Sequence, residues 1–346
     1  MCLTILSVAY PLFPVSPASG GAEQILQILD RCLVNAGHRS IVIAAKNSEV
    51  AGQLVETPAA QAEISPSIRK AAQESHRDRI ERTLETEAID LIHFHGLDFL
   101  SYRPPSQSVR QLATLHLPVS WYPEDLFQHR GLILNYVSQS QARTQANTFF
   151  TPVIGNGIDL DQFTFTPRKD NYLLWLGRVC PEKGAHIALH VARSLDLPLV
   201  LAGPVHPFGD HQTYFCEKVV PLLEDDRHYV GPVNSSQRAK LLSGARCLLV
   251  PALAPETSSL VAMEAAASGT PVIAFASGAL PEIVENGKTG WIVSCEEEMA
   301  DAVHRSAEII PAACRRAAEV RFNAIRMAQD YLSLYERIIN LPHRSE

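Results

Sequence analysis

At 346 residues the chain is too long for one ordinary domain of roughly 100–200 residues, and a hydrophobic share of 46% can supply two cores. A net charge of −7, with 12 Lys+Arg against 16 Asp+Glu in residues 1–165 and 18 against 21 in 166–346, leaves neither half basic and argues against nucleic acid as a partner. Seven cysteines without a C-x-x-C pair argue for reduced thiols, no apolar run reaches the roughly 20 residues of a membrane span, and the start Met1-Cys2-Leu3-Thr4-Ile5-Leu6 has no charged n-region, so the expected location is cytoplasmic.

Residues 3–9 read as a buried strand. A loop rich in Pro, Ser and Gly over 11–20 leads into a helix over 22–35, where Ile25, Ile28, Leu29, Cys32 and Leu33 recur at helical spacing and Gly37 marks the stop. The alternation continues through 40–44, a helix over 66–86, then 89–94, 109–116, 133–138 and 152–154. In the 66–86 helix Arg69, Lys70, Arg77, Arg79 and Arg82 are interleaved with Glu74, Asp78, Glu81 and Glu85, the pattern of a solvated face rather than a lipid anchor. Asn156-Gly157-Ile158-Asp159 and the polar stretch through 167–170 have linker chemistry, which places a boundary near residue 165.

The second half restarts with 172–176, a helix over 185–195, then 199–202, a helix near 212–223, and 229–230. It continues with a helix around 235–242, then 247–250, a helix over 258–267, 272–275, 291–293 and helices to the end. Short apolar runs alternating with helices predict parallel sheets covered on both faces. The expected fold is α/β: two Rossmann-like doubly wound domains, 1–165 and 166–325, facing across a cleft. A last helix over 326–346 is expected to pack back on the first domain. Ligands of such sheets lie beyond the carboxyl ends of the strands, and the candidate residues fall there.

Gly20-Gly21-Ala22-Glu23 lets the backbone approach a ligand at a helix start, or is simply a turn with a helix-start acid. In Gly177-Arg178-Val179-Cys180-Pro181-Glu182-Lys183-Gly184 two cations flank one loop after a strand, a clamp suited to a diphosphate. Cys180 between them reads as an ordinary thiol, with a lowered pKa as the alternative. Glu256 and Glu264 are separated by seven residues; a helix starting near Ser258 would put them on one face two turns apart. Ser258 and Ser259 either cap that helix or face a phosphate. His93 and His95 share a strand face without a third ligand nearby, so no metal site is expected there. His116 ends a strand and is a candidate for contact with a sugar hydroxyl or for proton traffic, with a satisfied rim histidine as the alternative.

Taken together, the GGAE turn, the R-x4-K loop and the E-x7-E pair resemble the family 4 retaining glycosyltransferases of GT-B fold. The resemblance extends to Ile92-His93-Phe94-His95-Gly96, Gly155-Asn156-Gly157-Ile158-Asp159, Leu201-Ala202-Gly203-Pro204, Val230-Gly231-Pro232-Val233 and Pro281-Glu282-Ile283-Val284-Glu285-Asn286-Gly287. It implies that Glu264 holds the ribose of a sugar nucleotide and Glu256 the transferred hexose. Arg178 and Lys183 would bind the diphosphate, with help from the amides of Gly21, Leu260 and Val261. His116 would face the donor sugar, Val233 would lie near the base, and Gly20, Gly203, Ser258 and Ser259 would belong to the donor site. Where the family often has Phe-Gly-Leu-Val this chain has Ser258-Ser259-Leu260-Val261, which keeps the amides and removes a bulky wall from the sugar pocket.

The expected activity is retaining transfer of a hexose from a nucleotide diphosphate sugar, UDP-glucose first, to a hydroxyl acceptor, with no metal or other cofactor and a front-face mechanism. A sugar phosphorylase, a nucleotide-sugar epimerase and a non-catalytic nucleotide-sugar binder are the alternatives. A dinucleotide-dependent oxidoreductase lacks its G-x-G-x-x-G turn here. The acceptor is expected to be a soluble small molecule or saccharide meeting loops 11–19 and 120–130, where Trp121 and Tyr122 offer rings for stacking.

Overall fold

The computed structural model describes residues 2–16, 20–59, 65–105, 109–129, 131–145 and 151–341. The chain divides into two contact units, Met1–Asn156 with Ala324–Glu346, and Gly157–Asn323.

Unit 1 opens with β1 (Thr4–Val8), α1 (Gly21–Asn35), β2 (Arg39–Ala45), β3 (Gln53–Thr57) and α2 (Pro66–Thr86). It continues with β4 (Leu91–Phe94), β5 (Arg110–Leu115), β6 (Leu132–Tyr136) and α3 (Gln139–Arg143). The six strands form one parallel sheet in the order β3-β2-β1-β4-β5-β6, with Ile5 opposite both Ser40 and Leu91 where the order reverses. β4 is buried at every residue and β2 at all but its first, as strands covered on both faces must be. α1 turns Ile25, Leu26, Leu29 and Leu33 inward, and α2 starts at a Ser65 cap that accepts from the Ile68 N–H, with Pro66 in its first turn.

Unit 2 holds β7 (Leu173–Leu176), α4 (Ala185–Ser194), β8 (Leu199–Ala202), α5 (Gly209–Tyr214), β9 (Arg227–Tyr229) and α6 (Ser235–Gly244). After these come β10 (Cys247–Val250), α7 (Leu260–Ala267), β11 (Val272–Phe275), α8 (Leu280–Ile283), β12 (Gly290–Val293), α9 (Glu296–Arg305) and α10 (Pro311–Arg321). Its parallel sheet runs β12-β11-β10-β7-β8-β9 and reverses between β7 and β10. Alternate residues of these central strands feed two cores: Leu174 and Leu248 pack on one face, Leu173, Trp175, Cys247 and Leu249 on the other.

Residues 157–165, assigned to the first domain on sequence grounds, lie in unit 2, because Ile158 and Phe163 join its core and the Ile158 N–H donates to the Phe322 carbonyl at 2.7 Å. The last helix, α11 (Ala324–Ile339), belongs to unit 1, where it packs on α1 and Arg326 donates to the Gly155 and Asn156 carbonyls at 2.8 and 2.9 Å. Residues 152–154 form no strand beyond an isolated bridge from Val153 to Tyr136. The helix expected near 212–223 ends at Tyr214 and gives way to a π-helical turn, Phe215–Val219, and a 3-10 turn, Val220–Leu222. Pro221 carries no N–H with which to continue a helix.

Candidate functional site

In unit 2 the backbone fixes the loops that carry most candidates. After β7, Gly177 and Arg178 lead through Cys180 into the 3-10 turn Pro181–Lys183, and Gly184, left-handed at φ 64°, opens α4. A Cβ on Gly184 would stand 2.2 Å from the Pro251 carbonyl oxygen, so glycine is what lets this loop close on the one after β10. The Leu253 N–H donates to the Glu182 carbonyl at 2.8 Å, and Trp175 Nε1 donates to the Lys183 carbonyl at 3.1 Å. Gly203, at φ 135°, comes equally close to the loop after β7: its Cβ would meet the Gly177 oxygen at 1.8 Å. Its own N–H donates to the Gly231 carbonyl at 2.9 Å, two residues before Val233 and three before the Asn234 cap of α6.

On this frame Lys183 Nζ pairs with Glu256 Oε1, with the lysine side chain 29% exposed and the carboxylate 9%. Glu256 is held through its backbone: its carbonyl accepts from the Ala279 N–H at 2.7 Å, and Gly278 packs against it so closely that a Cβ would lie 2.1 Å from its oxygen. Arg178 is exposed, whereas Cys180 is buried. Burial, with Glu182 beside it, pushes the Cys180 thiol up to about 11, the opposite of an activated thiolate.

α7 begins at Leu260, two residues later than expected, so Glu256 lies in the loop and the two carboxylates are not successive turns of one helix face. Ser259 makes no side-chain capping bond, and Ser258 Oγ is buried without a partner. The capping role open to these serines is not the one they take. The amides of Leu260 and Val261 stand in the first turn of α7, where a helix leaves N–H groups without intrahelical acceptors. Glu264 points elsewhere than Glu256: Oε1 is 3.1 Å from a guanidinium nitrogen of Arg238 on α6, while Oε2 is buried without a partner. Burial raises the Glu264 pKa, and Arg238 offsets part of that rise. Arg238 went unnoticed in the sequence because only the packing of α6 against α7 brings it to Glu264.

In unit 1, Gly20 caps α1 in an extended conformation and Gly21 is its first residue. Glu23 folds back into the protein, 7% exposed, and its Oε2 would lie 2.7 Å from a Cβ on Gly20; burial raises its pKa. His116 follows β5, 8% exposed, with Nε2 at 3.0 Å from His95 Nδ1, and burial pushes it down to about 3, which keeps the ring neutral. Beneath it both nitrogens of His93 are engaged, by Tyr335 at 2.8 Å and Thr114 at 2.7 Å; Thr114 also donates to Asn135 at 2.6 Å. His93 is thus part of a buried network completed by α11. Of the two rings offered for stacking, Trp121 is 55% exposed but Tyr122 is 6% exposed, packed in the core with its hydroxyl accepting from the Leu117 N–H. The parts of the expected acceptor loops at 17–19 and at Arg130 lie outside the described residues.

The structure therefore joins Lys183 to Glu256 and Gly177 to Gly203 within unit 2, turns Glu264 to Arg238, and carries Gly20, Gly21 and His116 in unit 1. Among the described residues no helix is long and apolar enough to cross a membrane.

Residues 159–318 match the family model described as "Glycosyl transferases group 1". The D-inositol 3-phosphate glycosyltransferase of Mycobacteroides abscessus is 31% identical over 208 residues, covering 54% of this chain and 46% of that protein. The chain spans less than half the length of the curated relatives it matches. Among solved structures, AviGT4, a glycosyltransferase involved in avilamycin A biosynthesis, is 25% identical with a TM-score of 0.75, covering 97% of this chain and 98% of its own. Sucrose-phosphate synthase from Thermosynechococcus elongatus, 20% identical, covers 97% of this chain and 99% of its own at a TM-score of 0.82. These neighbours have the GT-B fold, and this chain shares it.

Proposed function

We propose that the protein transfers a hexose from a nucleotide diphosphate sugar, UDP-glucose first, to a hydroxyl acceptor with retention, a reading supported by the match of residues 159–318 to the glycosyl transferases group 1 model. The observation that carries this reading is Glu264, a carboxylate 2% exposed whose Oε2 has no partner. A buried acceptor of that kind is costly unless a donor arrives, and the hydroxyls of a ribose are such donors. Arg178, Lys183 and the first-turn amides of α7 take the diphosphate. Fixed positive groups aimed at a leaving group that gains charge stabilise the transition state more than the ground state, so the step needs no metal.

The Lys183–Glu256 pair couples two of these roles. A diphosphate oxygen that engages Lys183 Nζ releases Glu256 to accept from hexose hydroxyls, so leaving-group and sugar recognition depend on one contact. In the front-face step the anomeric C–O bond to the diphosphate breaks and the acceptor oxygen bonds on the same face. The acceptor's proton passes to the departing phosphate oxygen. His116, neutral, acts as a hydrogen-bonding partner of the sugar rather than a charge.

The test is a thermal-shift screen of nucleotide sugars, followed by mass spectrometry of products from acceptor mixtures with and without inorganic phosphate. A glycoside product with retained anomeric configuration is expected. Phosphate-dependent turnover would mark a phosphorylase and a changed sugar on intact UDP an epimerase. Stabilisation by UDP with no donor consumed would mark a binding protein. Each outcome overturns the proposal.

A further inference from the structure

Cys180, Glu182 and His211 form a cluster that the donor reading does not use. We infer that unit 2 binds a divalent ion of the zinc type through Cys180 Sγ, the Glu182 carboxylate and a ring nitrogen of His211. One ligand atom from each residue lies within 4.8 Å of the other two. Tetrahedral zinc, with bonds of about 2.0–2.3 Å, sets its ligands roughly 3.3–3.8 Å apart, so the three atoms need to close by at most about 1.5 Å.

Two further observations point inward to a ligand. His211 is 6% exposed with Nδ1 buried and unpartnered, and Glu182 Oε2 is likewise buried without a partner. Buried polar atoms in native proteins are almost always satisfied, so two orphans beside a thiol call for an occupant. The backbone under the cluster is firm: Cys180 caps the turn Pro181–Lys183, the Glu182 carbonyl accepts from Leu253, and His211 stands in α5.

The donor set selects the metal. A thiolate with an imidazole and a carboxylate suits zinc, whereas magnesium and calcium take oxygen ligands. On binding, the Sγ–H bond breaks and its proton goes to solvent, the Zn–S bond forms, and thiolate plus carboxylate neutralise the ion while a ring nitrogen of His211 donates its lone pair. Three protein ligands leave one tetrahedral position for water, and the His206 ring, 6.2 Å from that of His211, is the neighbouring donor. Cysteine spacing could not show the site, because two of its three ligands are not cysteines. The ion would tie the loop bearing Arg178 and Lys183 to α5 without entering the transfer reaction, so the inference does not rest on the transferase reading.

The chelator-stripped 346-residue chain titrated with Co²⁺ tests it, followed by Zn²⁺ competition. We expect one equivalent to produce a thiolate-to-cobalt charge-transfer band, kept in a Cys2→Ser/Cys216→Ser variant that removes the two exposed thiols. The band should be lost in Cys180→Ser, and Zn²⁺ affinity should fall by more than the roughly 100-fold that outer-shell partners are worth in Cys180→Ser and in His211→Ala. An unchanged band or affinity in Cys180→Ser overturns the proposal. Should those variants fail to fold, X-ray absorption on the zinc-loaded wild type decides: one sulfur among nitrogen and oxygen ligands supports the site, and no sulfur overturns it.

Discussion

Glu264→Gln separates a ligand-holding carboxylate from a purely structural one. Glutamine has the same shape, so the packing of α7 is kept and only the charge is lost. If Oε2 accepts from a ribose hydroxyl, the charge-assisted bond is worth about 1.5–3 kcal/mol, roughly a 10- to 150-fold loss in UDP affinity. Stability should not follow. Burial holds this carboxyl above its ordinary value of 4.5, so the folded chain binds the proton more tightly than the unfolded chain does. Its contribution is fully present below pH 4.5 and is lost as pH rises through the raised folded value. At pH 7.5, above that ordinary value, the contribution is being lost, so Glu264→Gln, which cannot ionise, should hold or raise the Tm. Calorimetric titration with UDP, beside melting curves from about pH 4.5 to 8, reads both quantities. A Tm lower by several degrees at pH 7.5 with unchanged UDP affinity would refute the reasoning and leave Glu264 as no more than the counter-charge of Arg238.

Glu256→Gln should leave UDP affinity unchanged or slightly tighter while cutting transfer by at least about tenfold, the worth of one charge-assisted hydrogen bond; equal losses in both would merge its role with that of Glu264. Arg178→Ala and Lys183→Ala should each lower kcat by roughly 10²–10³, as loss of an oxyanion-hole donor does, and by more than donor affinity falls; near-normal turnover in both variants would sink the leaving-group role. Unit 1 should be acid-labile. His76 and His116 are buried and pushed from 6.5 down to about 4 and about 3, so they stay neutral at pH 5 while the unfolded chain charges. Stability present above pH 6.5 is lost as pH falls towards those values, about 2 kcal/mol for each ring at pH 5. Burial acts in the same direction on His93 and His95. Denaturant melts at pH 7 and 5 measure the loss, and imidazole proton resonances of these rings titrating near 6.5 in the folded protein would contradict it.

The fold was legible because both sheets are parallel and covered on both faces, so their central strands read as short unbroken apolar runs between helices. What was missed follows from the same physics. β3, Gln53–Thr57, is an edge strand with one buried residue, and polar side chains on its open positions hide it in the sequence. The ends of helices were less legible than their centres: Pro221 truncates one run, and α7 starts two residues late because the 251–259 loop is held by Glu182, Ser277 and Ala279 rather than by its own helical propensity. The placement of Gly177, Gly203 and Glu256 beyond strand ends was legible too, since topology alone dictates it.

The pairing of the candidate side chains was not legible, and it alters the chemistry. Read from spacing, the chain offers two lone acids and two lone cations. In the folded protein Lys183 meets Glu256 and Arg238 meets Glu264, so each proposed ligand carboxylate already faces a cation from a distant part of the chain. On the proposed function, a diphosphate at the 177–184 loop would meet exposed Arg178 outright but would have to compete with Glu256 for Lys183. That competition is why removing the Glu256 charge should not weaken UDP binding, although its loss damages transfer. Glu264 is under no such competition at Oε2, which is why its charge should matter to the nucleotide alone. Two glutamates that look equivalent in the sequence are thus expected to respond differently to the same ligand: loss of the Glu264 charge should weaken UDP binding, and loss of the Glu256 charge should not.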